Sequence, residues 1–271
     1  MFSSHEEKLQ AAANYLKDAR SVLFITGAGI SADSGLPTYR GIGGLYDEAD
    51  TPEGIPIEEA LSGAMMRRNP ALTWRYIHQI EASARGASFN RGHAVLAAAE
   101  ERFERVWVLT QNVDGLHRKA GSKNVLDIHG DVHDLFCTRC DHRETVEDYS
   151  NLAPLPLCPS CGATVRPDVV LFGELLPLNK VETMERELRS GFDVVFSIGT
   201  TSVFPYIARP VIEARLRRKA TIEINPGETL LSDEVDVKLP MRAAEALPAL
   251  WTRLDSARTK QRRRQKGTAW S

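Results

Sequence analysis

All four cysteines of the chain fall within 25 residues, as Cys137-x2-Cys140, a spacer of 17 residues, and Cys158-x2-Cys161. Two CxxC knuckles at this separation suit a tetrahedral four-thiolate zinc site. Thr138 and Arg139 turn the first knuckle, and Pro159, Ser160 and Gly162 shape the second. A redox CxxC is the competing reading, but the second pair and the lack of a fifth cysteine favour one zinc ion held by Cys137, Cys140, Cys158 and Cys161. Four thiolates leave no open coordination position, so the ion is expected to be structural. The amino terminus, MFSSHEEKLQ, has no basic stretch leading into an apolar one, as a secretory signal would. No apolar run approaches the ~20 residues that span a bilayer. The expectation is a soluble cytoplasmic protein with reduced cysteines and no membrane partner.

A zinc ribbon can also grip nucleic acid, and charge argues against that here. The 271 residues carry a net charge of −2. Residues 131–165 set Arg139 and Arg143 against Asp131, Asp134, Asp141, Glu144, Glu147 and Asp148, a balance that repels phosphate. From Arg253 onward seven lysines and arginines face Asp255 alone. Such a tail can be a nucleic-acid arm, but is more often a solvated terminus.

Outside the cysteine segment, short apolar runs alternate with helix-patterned stretches. Strands are expected at 21–26, 106–109, 125–128, 194–198 and 221–224, and helices at 5–19, 91–102, 177–189 and 205–219. That alternation predicts an α/β fold with a mostly parallel sheet covered on both faces. Residues 36–90, which open on a Gly/Pro-rich loop, and residues 131–165 break the pattern. They read as insertions that together build a smaller second domain.

Two segments and one histidine follow strands where chemistry is usually placed. Gly27-Ala-Gly-Ile-Ser-Ala32 gives the G-x-G-x-x-G/A pattern, letting backbone approach a pyrophosphate at a helix start. A glycine turn that only packs strand on helix would look the same. The acidic strand end that a dehydrogenase places about 20 residues on is missing, which disfavours ordinary hydride transfer. Gln111, Asn112 and Asp114 lie just past the second strand, where open α/β sheets bind ligands, though Asn112 or Asp114 could equally cap a helix. His129 ends the strand at 125–128. A lone histidine is more often structural, but beside Asn112 and Asp114 it becomes a candidate general base.

Together, GAGISADSGLPTYRG (27–41), TQNVDGLHRKAG (110–121), HG (129–130), the paired CxxC, RPDVVLFGE (166–174), GTTS (199–202) and INPG (224–227) resemble the sirtuins of bacterial type. These are NAD-dependent protein lysine deacylases, and the resemblance spans roughly residues 10–250 in order. It implies a discontinuous Rossmann-like NAD-binding domain of residues 1–35, 91–130 and 166–255. Residues 36–90 would be the cofactor loop and helical part of the small domain, 131–165 its zinc module, and 256–271 a basic flexible tail.

By the same resemblance, Gly27, Ala28, Ser31, Tyr39 and Arg40 would surround the phosphates and nearby ribose. Gln111, Asn112 and Asp114 would line the nicotinamide end, with Asn112 and Asp114 also assisting His129 in catalysis. Gly199, Thr200, Thr201, Asn225 and Pro226 would take the adenosine end, with Ala243 against adenine. Val169, Val170, Phe172, Gly173 and Glu174 would bind the substrate, whose peptide joins as an extra strand. The implied reaction loses nicotinamide, leaving an electrophilic ribose carbon that the acyl-lysine oxygen attacks. His129 then helps deprotonate a ribose hydroxyl, and the products are free lysine, nicotinamide and O-acyl-ADP-ribose.

Three departures from the family pattern bear on specificity. Members that remove succinyl or malonyl groups carry Tyr-x-x-Arg in the helix after the cofactor loop. Aligning Pro70-Ala-Leu-Thr-Trp74 with that helix puts Ile77 and Ile80 at the two positions. An apolar pocket leaves a carboxylate unpaired, so neutral acyl groups are expected, acetyl first. Tyr39 stands where Phe is usual, and GTTSVFPYIARP is one residue shorter before its proline than the common form. Two other functions compete: a mono-ADP-ribosyltransferase, and a zinc-ribbon module that binds nucleic acid. The FGE segment and His129 favour deacylation of acyl-lysine proteins or peptides. Oligomeric state is left open.

Overall fold

The structure, a computed structural model, describes residues 4–37 and 51–267. Helix α1 (His5–Leu16) starts at Ser4, whose hydroxyl accepts from the Glu7 N–H at 3.3 Å, and it buries Leu9, Ala12, Ala13 and Leu16. Strand β1 (Ser21–Thr26) then splits its side chains between two cores, as a strand's two-residue period requires. Val22 and Phe24 pack with α1 on one face, while Leu23 and Ile25 enter a separate cluster on the other.

The rest of the chain follows in order. Helices α2 (Ala28–Ser31), α3 (Ile57–Ala60), α4 (Gly63–Arg68) and α5 (Pro70–Ala84) precede α6 (Arg91–Ala99), β2 (Arg105–Thr110), α7 (Leu116–Lys119) and β3 (Val125–Asp127). The segments β4 (Gly130–Cys137), β5 (Arg143–Thr145) and β6 (Val165–Val169) lead to α8 (Leu178–Ser190) and β7 (Val194–Ile198). Then come α9 (Pro205–Leu216), β8 (Ala220–Ile224), β9 (Val237–Leu239) and α10 (Ala243–Gly267).

The six-stranded sheet runs β3-β2-β1-β7-β8-β9, every neighbouring pair parallel. Residues of α1, α6 and α10 fill the core on one face, and residues of α8 and α9 fill it on the other. Both faces are therefore dry, which explains the near-continuous Val/Ile/Leu content of β1 and β7. The expected α/β class holds. Chain direction across the sheet reverses between β1 and β7, and a ligand crevice forms at such a switch point, outside the strands' carboxyl ends.

A second, antiparallel sheet of order β5-β4-β6 carries the cysteine segment. Its strands were not among those expected from apolar patterning, and their sequences show why. β5 is exposed throughout, β4 changes register between Asp131 and Leu135, and β6 contains Pro167, tolerated because β6 is an edge strand. The three residues of β9 were too few to show a pattern. Helix α10 runs on through the first part of the basic segment 256–271 to Gly267, in a stretch rich in the good helix formers Lys, Arg and Gln.

The helices of the first insertion and the cysteine segment share one core. Trp74 on α5 is fully buried, lies 5.6 Å from Tyr149, and its indole N–H donates to the Val165 carbonyl at 2.8 Å. Thr73 donates to the Ala60 carbonyl at 2.9 Å, which locks α5 onto α3. Trp74→Ala should therefore cost about 3–5 kcal/mol of stability. Urea unfolding checks this, and a loss below about 1 kcal/mol would mean that the two segments are not joined through this indole.

Candidate active site

A cavity of about 670 Å³ opens at the carboxyl edge of the large sheet and is closed on its far side by the small domain. Three strand-end loops form its floor: Gly27–Gly29 after β1, Gly199–Thr201 after β7, and Asn225–Pro226 after β8. The first two touch through their backbones, with the Gly29 N–H donating to the Gly199 carbonyl at 2.8 Å. A Cβ on Gly29 would lie 2.6 Å from Gly199 Cα, and Gly199 itself has φ +58°, so both positions call for glycine. Such bare backbone at a helix start is suited to phosphate oxygens.

The side chains expected to hold a dinucleotide are tied to these loops. Gln111 donates to the Thr200 hydroxyl at 2.7 Å, and Asn225 donates to the Thr200 carbonyl at 3.1 Å. The Asn112 amide donates to both the Gly27 carbonyl and the Ser31 hydroxyl at 3.1 Å. Ser31 in turn donates to Asp114 at 2.7 Å, while the other Asp114 oxygen accepts from the Leu116 N–H at the start of α7. Asp114 thus serves the helix as well as the network. Gly27, Ala28, Gln111, Asn112, Gly199 and Thr200 line the large cavity, as do Thr201, Asn225, Pro226 and Ala243. Ser31 and Asp114 line a smaller cavity of about 330 Å³ that shares Ala28 and Asn112 with the first. Tyr39 and Arg40 lie outside the described residues.

His129 lies two residues past β3, the strand that pairs with β2, and just before β4. The Gln111 carbonyl, 3.0 Å from Nδ1, can only accept, so Nδ1 carries the hydrogen and Nε2 is the free base. Burial lowers the pKa of this imidazole; the Gln111 contact opposes the shift, and Lys180 adds to it. The result is a neutral ring that presents Nε2 at a cavity wall.

Opposite lies the segment that follows β6. Val169, Val170, Phe172 and Gly173 line the cavity, and Phe172 is held to the small domain by N–H and C=O bonds with Leu61 and Gly63. Glu174 also lines it, but its carboxylate turns into the protein, accepting from Arg166 at 2.7 and 3.0 Å and from the Leu171 N–H at 2.9 Å. Its place is as a brace for the loop. Ile77 and Ile80 on α5 also face the cavity. The neighbouring Arg75 and Tyr76 both engage Glu53, the arginine at 2.6 Å.

The four cysteine sulfurs lie within 4.8 Å of one another, with Cys137–Cys161 and Cys140–Cys158 at 3.5 Å. A disulfide needs about 2.05 Å, whereas sulfurs bound to zinc at about 2.3 Å sit roughly 3.8 Å apart. Amide N–H groups of Arg139 and Cys140 point at the Cys137 sulfur, at 3.4 and 3.5 Å. That donor set fits a tetrahedral zinc ion with no position left for substrate.

A model of the Sir2 family matches residues 27–205. The chain belongs to the Sir2 family. Among its relatives, the NAD-dependent protein deacylase 2 of Pseudomonas aeruginosa is 47% identical over 239 residues, which is 87% of this chain and 93% of that one. The solved structure of a Sir2 homologue mutant with ADP-ribose superposes on this Sir2-family chain with a TM-score of 0.83 at 33% identity. It covers 91% of this chain and 96% of its own. A Sir2–p53 peptide–NAD+ structure gives 0.74 at 30% identity, covering 87% and 93%. No helix among the described residues is long and apolar enough to cross a membrane.

Several wall residues were not among those expected. Tyr206 and Phe204 at the start of α9, Val132, Leu176 and Arg242 line the same cavity. The buried pair His93 and His117, with ring centroids 4.9 Å apart, sits behind the Ser31–Asp114 bond. His117 lay within a quoted motif, but nothing in a lone sequence separates a sealed histidine from a reactive one.

Two outcomes follow from this geometry. Burial lowers His93 to about 4 against a partial rise from Asp114, and burial lowers His117 to about 3, with His93 adding to the shift. Below pH 6.5 the unfolded chain therefore binds protons that the folded chain refuses. Stability should fall on acidification by about 1.4 kcal/mol per pH unit for each histidine, until each folded pKa is reached. Urea midpoints between pH 7 and 4 test this, and His117→Gln should flatten the slope. For the metal, purified protein should carry one zinc ion by atomic absorption. Cys158→Ser should lose the ion and lower the melting temperature; an unchanged melting curve without metal would count against a structural role.

Proposed function

We propose that this chain removes neutral short acyl groups, acetyl first, from lysine side chains of proteins in an NAD-dependent reaction. The observation that carries this is the meeting around one cavity of bare glycine loops, a neutral imidazole and an apolar pair on α5. Deacylase names among the relatives and the peptide and ADP-ribose complexes among the structural neighbours support the same conclusion.

Bound NAD supplies a ribose carbon that becomes electrophilic as nicotinamide leaves, and an acceptor for the acyl group. The chain's own residues do the rest. Gly27, Ala28 and Ser31 surround the phosphates, and Gly199, Thr200, Thr201, Asn225, Pro226 and Ala243 the adenosine. Gln111, Asn112 and Asp114 shape the nicotinamide end; Gln111 also fixes the imidazole through its carbonyl. His129 Nε2 takes the proton of a ribose hydroxyl, so that the oxygen can attack the acyl carbon. Val169, Val170, Phe172 and Gly173 offer backbone to the substrate peptide, and a strand-like contact of that kind reads few side chains.

Ile77 and Ile80 set the acyl preference. With Arg75 and Tyr76 both engaged by Glu53, no cation from that turn of α5 faces the cavity. A succinyl carboxylate there would be desolvated without a partner, at a cost of several kcal/mol. The four thiolates suit a reducing compartment, and we assign the protein to the cytoplasm.

The test is incubation with NAD and acetyl-, propionyl- or succinyl-lysine peptide, following nicotinamide and O-acyl-ADP-ribose by mass spectrometry. His129→Ala should lose deacylation by at least about 10²-fold with an unchanged melting curve. The succinyl peptide should react with a kcat/KM about 10²-fold lower than the acetyl peptide, the rate equivalent of an unpaired carboxylate. Full turnover by folded His129→Ala would remove the imidazole from the chemistry. Transfer of ADP-ribose to protein without acyl-lysine would instead make this an ADP-ribosyltransferase.

A further inference from the structure

The phenol of Tyr206 meets the base that the reaction uses. Its oxygen lies 2.6 Å from His129 Nε2, across the ring from the Nδ1–Gln111 bond. Since Nδ1 carries the imidazole hydrogen, Nε2 accepts and the phenol donates. The direction of the donor is set independently of the histidine. Tyr206 is the second residue of α9, directly after Pro205, and its ring stacks on Phe204 at 5.5 Å and 20°. Both rings meet the imidazole edge-on, with centroids 6.0 Å away. Burial pushes the Tyr206 pKa up to about 12, so the hydroxyl keeps its proton at neutral pH. The segment that carries it is the one that departs in length from the family form.

We propose that Tyr206 is a positioning residue for acyl transfer: its hydroxyl holds His129 in the Nδ1–H tautomer and keeps the Nε2 lone pair aimed into the cavity until a ribose hydroxyl replaces it. In the step that follows, the ribose O–H bond would break and an Nε2–H bond form. The electron pair left on the ribose oxygen would make the new C–O bond to the acyl carbon while the C=N π pair of the O-alkylated lysine amide moves onto its nitrogen, and Tyr206 keeps its own proton throughout. The proposal rests on His129 being the proton acceptor. The polar and charged groups that face the imidazole are the Gln111 carbonyl after β2, Tyr206 on α9, and Lys180 on α8, whose ammonium is anchored on Asp127 at 2.9 Å.

Tyr206→Phe keeps the stack on Phe204 and removes only the hydroxyl. In the full chain, with NAD and acetyl-lysine peptide, kcat should fall about tenfold, short of the 10²–10⁴-fold expected for losing the base itself. KM for both substrates should stay within about twofold, because binding contacts common to ground and transition states are untouched. Exchange of labelled nicotinamide into NAD, which precedes the ribose proton transfer, should be unchanged. The acid limb of kcat/KM should move to higher pH, since the phenol no longer donates to the neutral ring. An unchanged or increased kcat overturns the proposal, as does a fall in kcat with the acid limb in place, which is what looser packing alone would give. His129→Ala, run in parallel, separates the two readings. If it keeps turnover, the base assignment fails; if it loses turnover while Tyr206→Phe does not, only the role of Tyr206 fails.

Discussion

The backbone contact between Gly29 and Gly199 is what the cavity is built around. It joins the carboxyl ends of the two strands between which chain direction reverses, with Gly27 N–H on the Ile198 carbonyl at 3.0 Å and Gly29 N–H on Gly199 at 2.8 Å. Any side chain on either glycine would fill the space the contact occupies. Because the contact needs no side chains, the groove above it stays open to a ligand. Asn112 extends the link by holding the Gly27 carbonyl, and Gln111 and Asn225 extend it through Thr200. The loops after β1, β2, β7 and β8 are thus one hydrogen-bonded unit. Gln111 also ties this unit to His129 through its carbonyl.

The zinc module reaches the cavity by a different route. Thr138 N–H donates to the Thr164 carbonyl at 3.0 Å, next to Val165, whose carbonyl takes the Trp74 indole. From there β6 runs straight to the loop that walls the substrate side. Arg166 bridges this span, donating to both Glu174 oxygens and to the Val169 carbonyl at 2.7 Å. A buried ion pair is weak evidence of net stability, since desolvation offsets the attraction. Its bidentate geometry fixes the orientation of this cavity wall. The cysteine module is therefore tied to the cavity wall through strand and clamp.

Much of this was legible in the sequence, for reasons particular to each part. The parallel sheet announced itself because strands buried on both faces must be apolar at nearly every position, as 194–198 is. The zinc site was legible because four thiolates at two CxxC spacings have few other uses. The candidate dinucleotide residues could be placed at strand ends, but the resemblance, more than spacing, said what they are for. The antiparallel sheet stayed hidden because its strands carry no apolar alternation of their own, β5 being exposed throughout and β6 holding Pro167. Glu174 was expected to touch substrate, and only coordinates reveal that its carboxylate turns toward Arg166. Tyr206 was invisible for a similar reason: a tyrosine after a proline says nothing about which atom its hydroxyl will meet.

His93 and His117 pack on each other beside the end of β1, and their surroundings differ from those of His129. His117 donates or accepts at Thr26, 2.9 Å away, while its buried Nδ1 has no partner among the described residues, and the neighbouring His93 pushes its pKa further down. Among the described residues nothing there stabilises a positive ring. His93 feels Asp114, but one nitrogen is committed to the start of α6, accepting from the Asn90 N–H at 3.3 Å. His129 differs in both respects. The Gln111 carbonyl accepts from Nδ1 and so favours the charged form against burial, while Nε2 meets a hydroxyl at the cavity instead of backbone. Holding sealed imidazoles neutral costs stability in acid, as buried groups that resist charging do. At His129 the same burial is tempered by one carbonyl and opened at one nitrogen, surroundings that suit the proton acceptor proposed above.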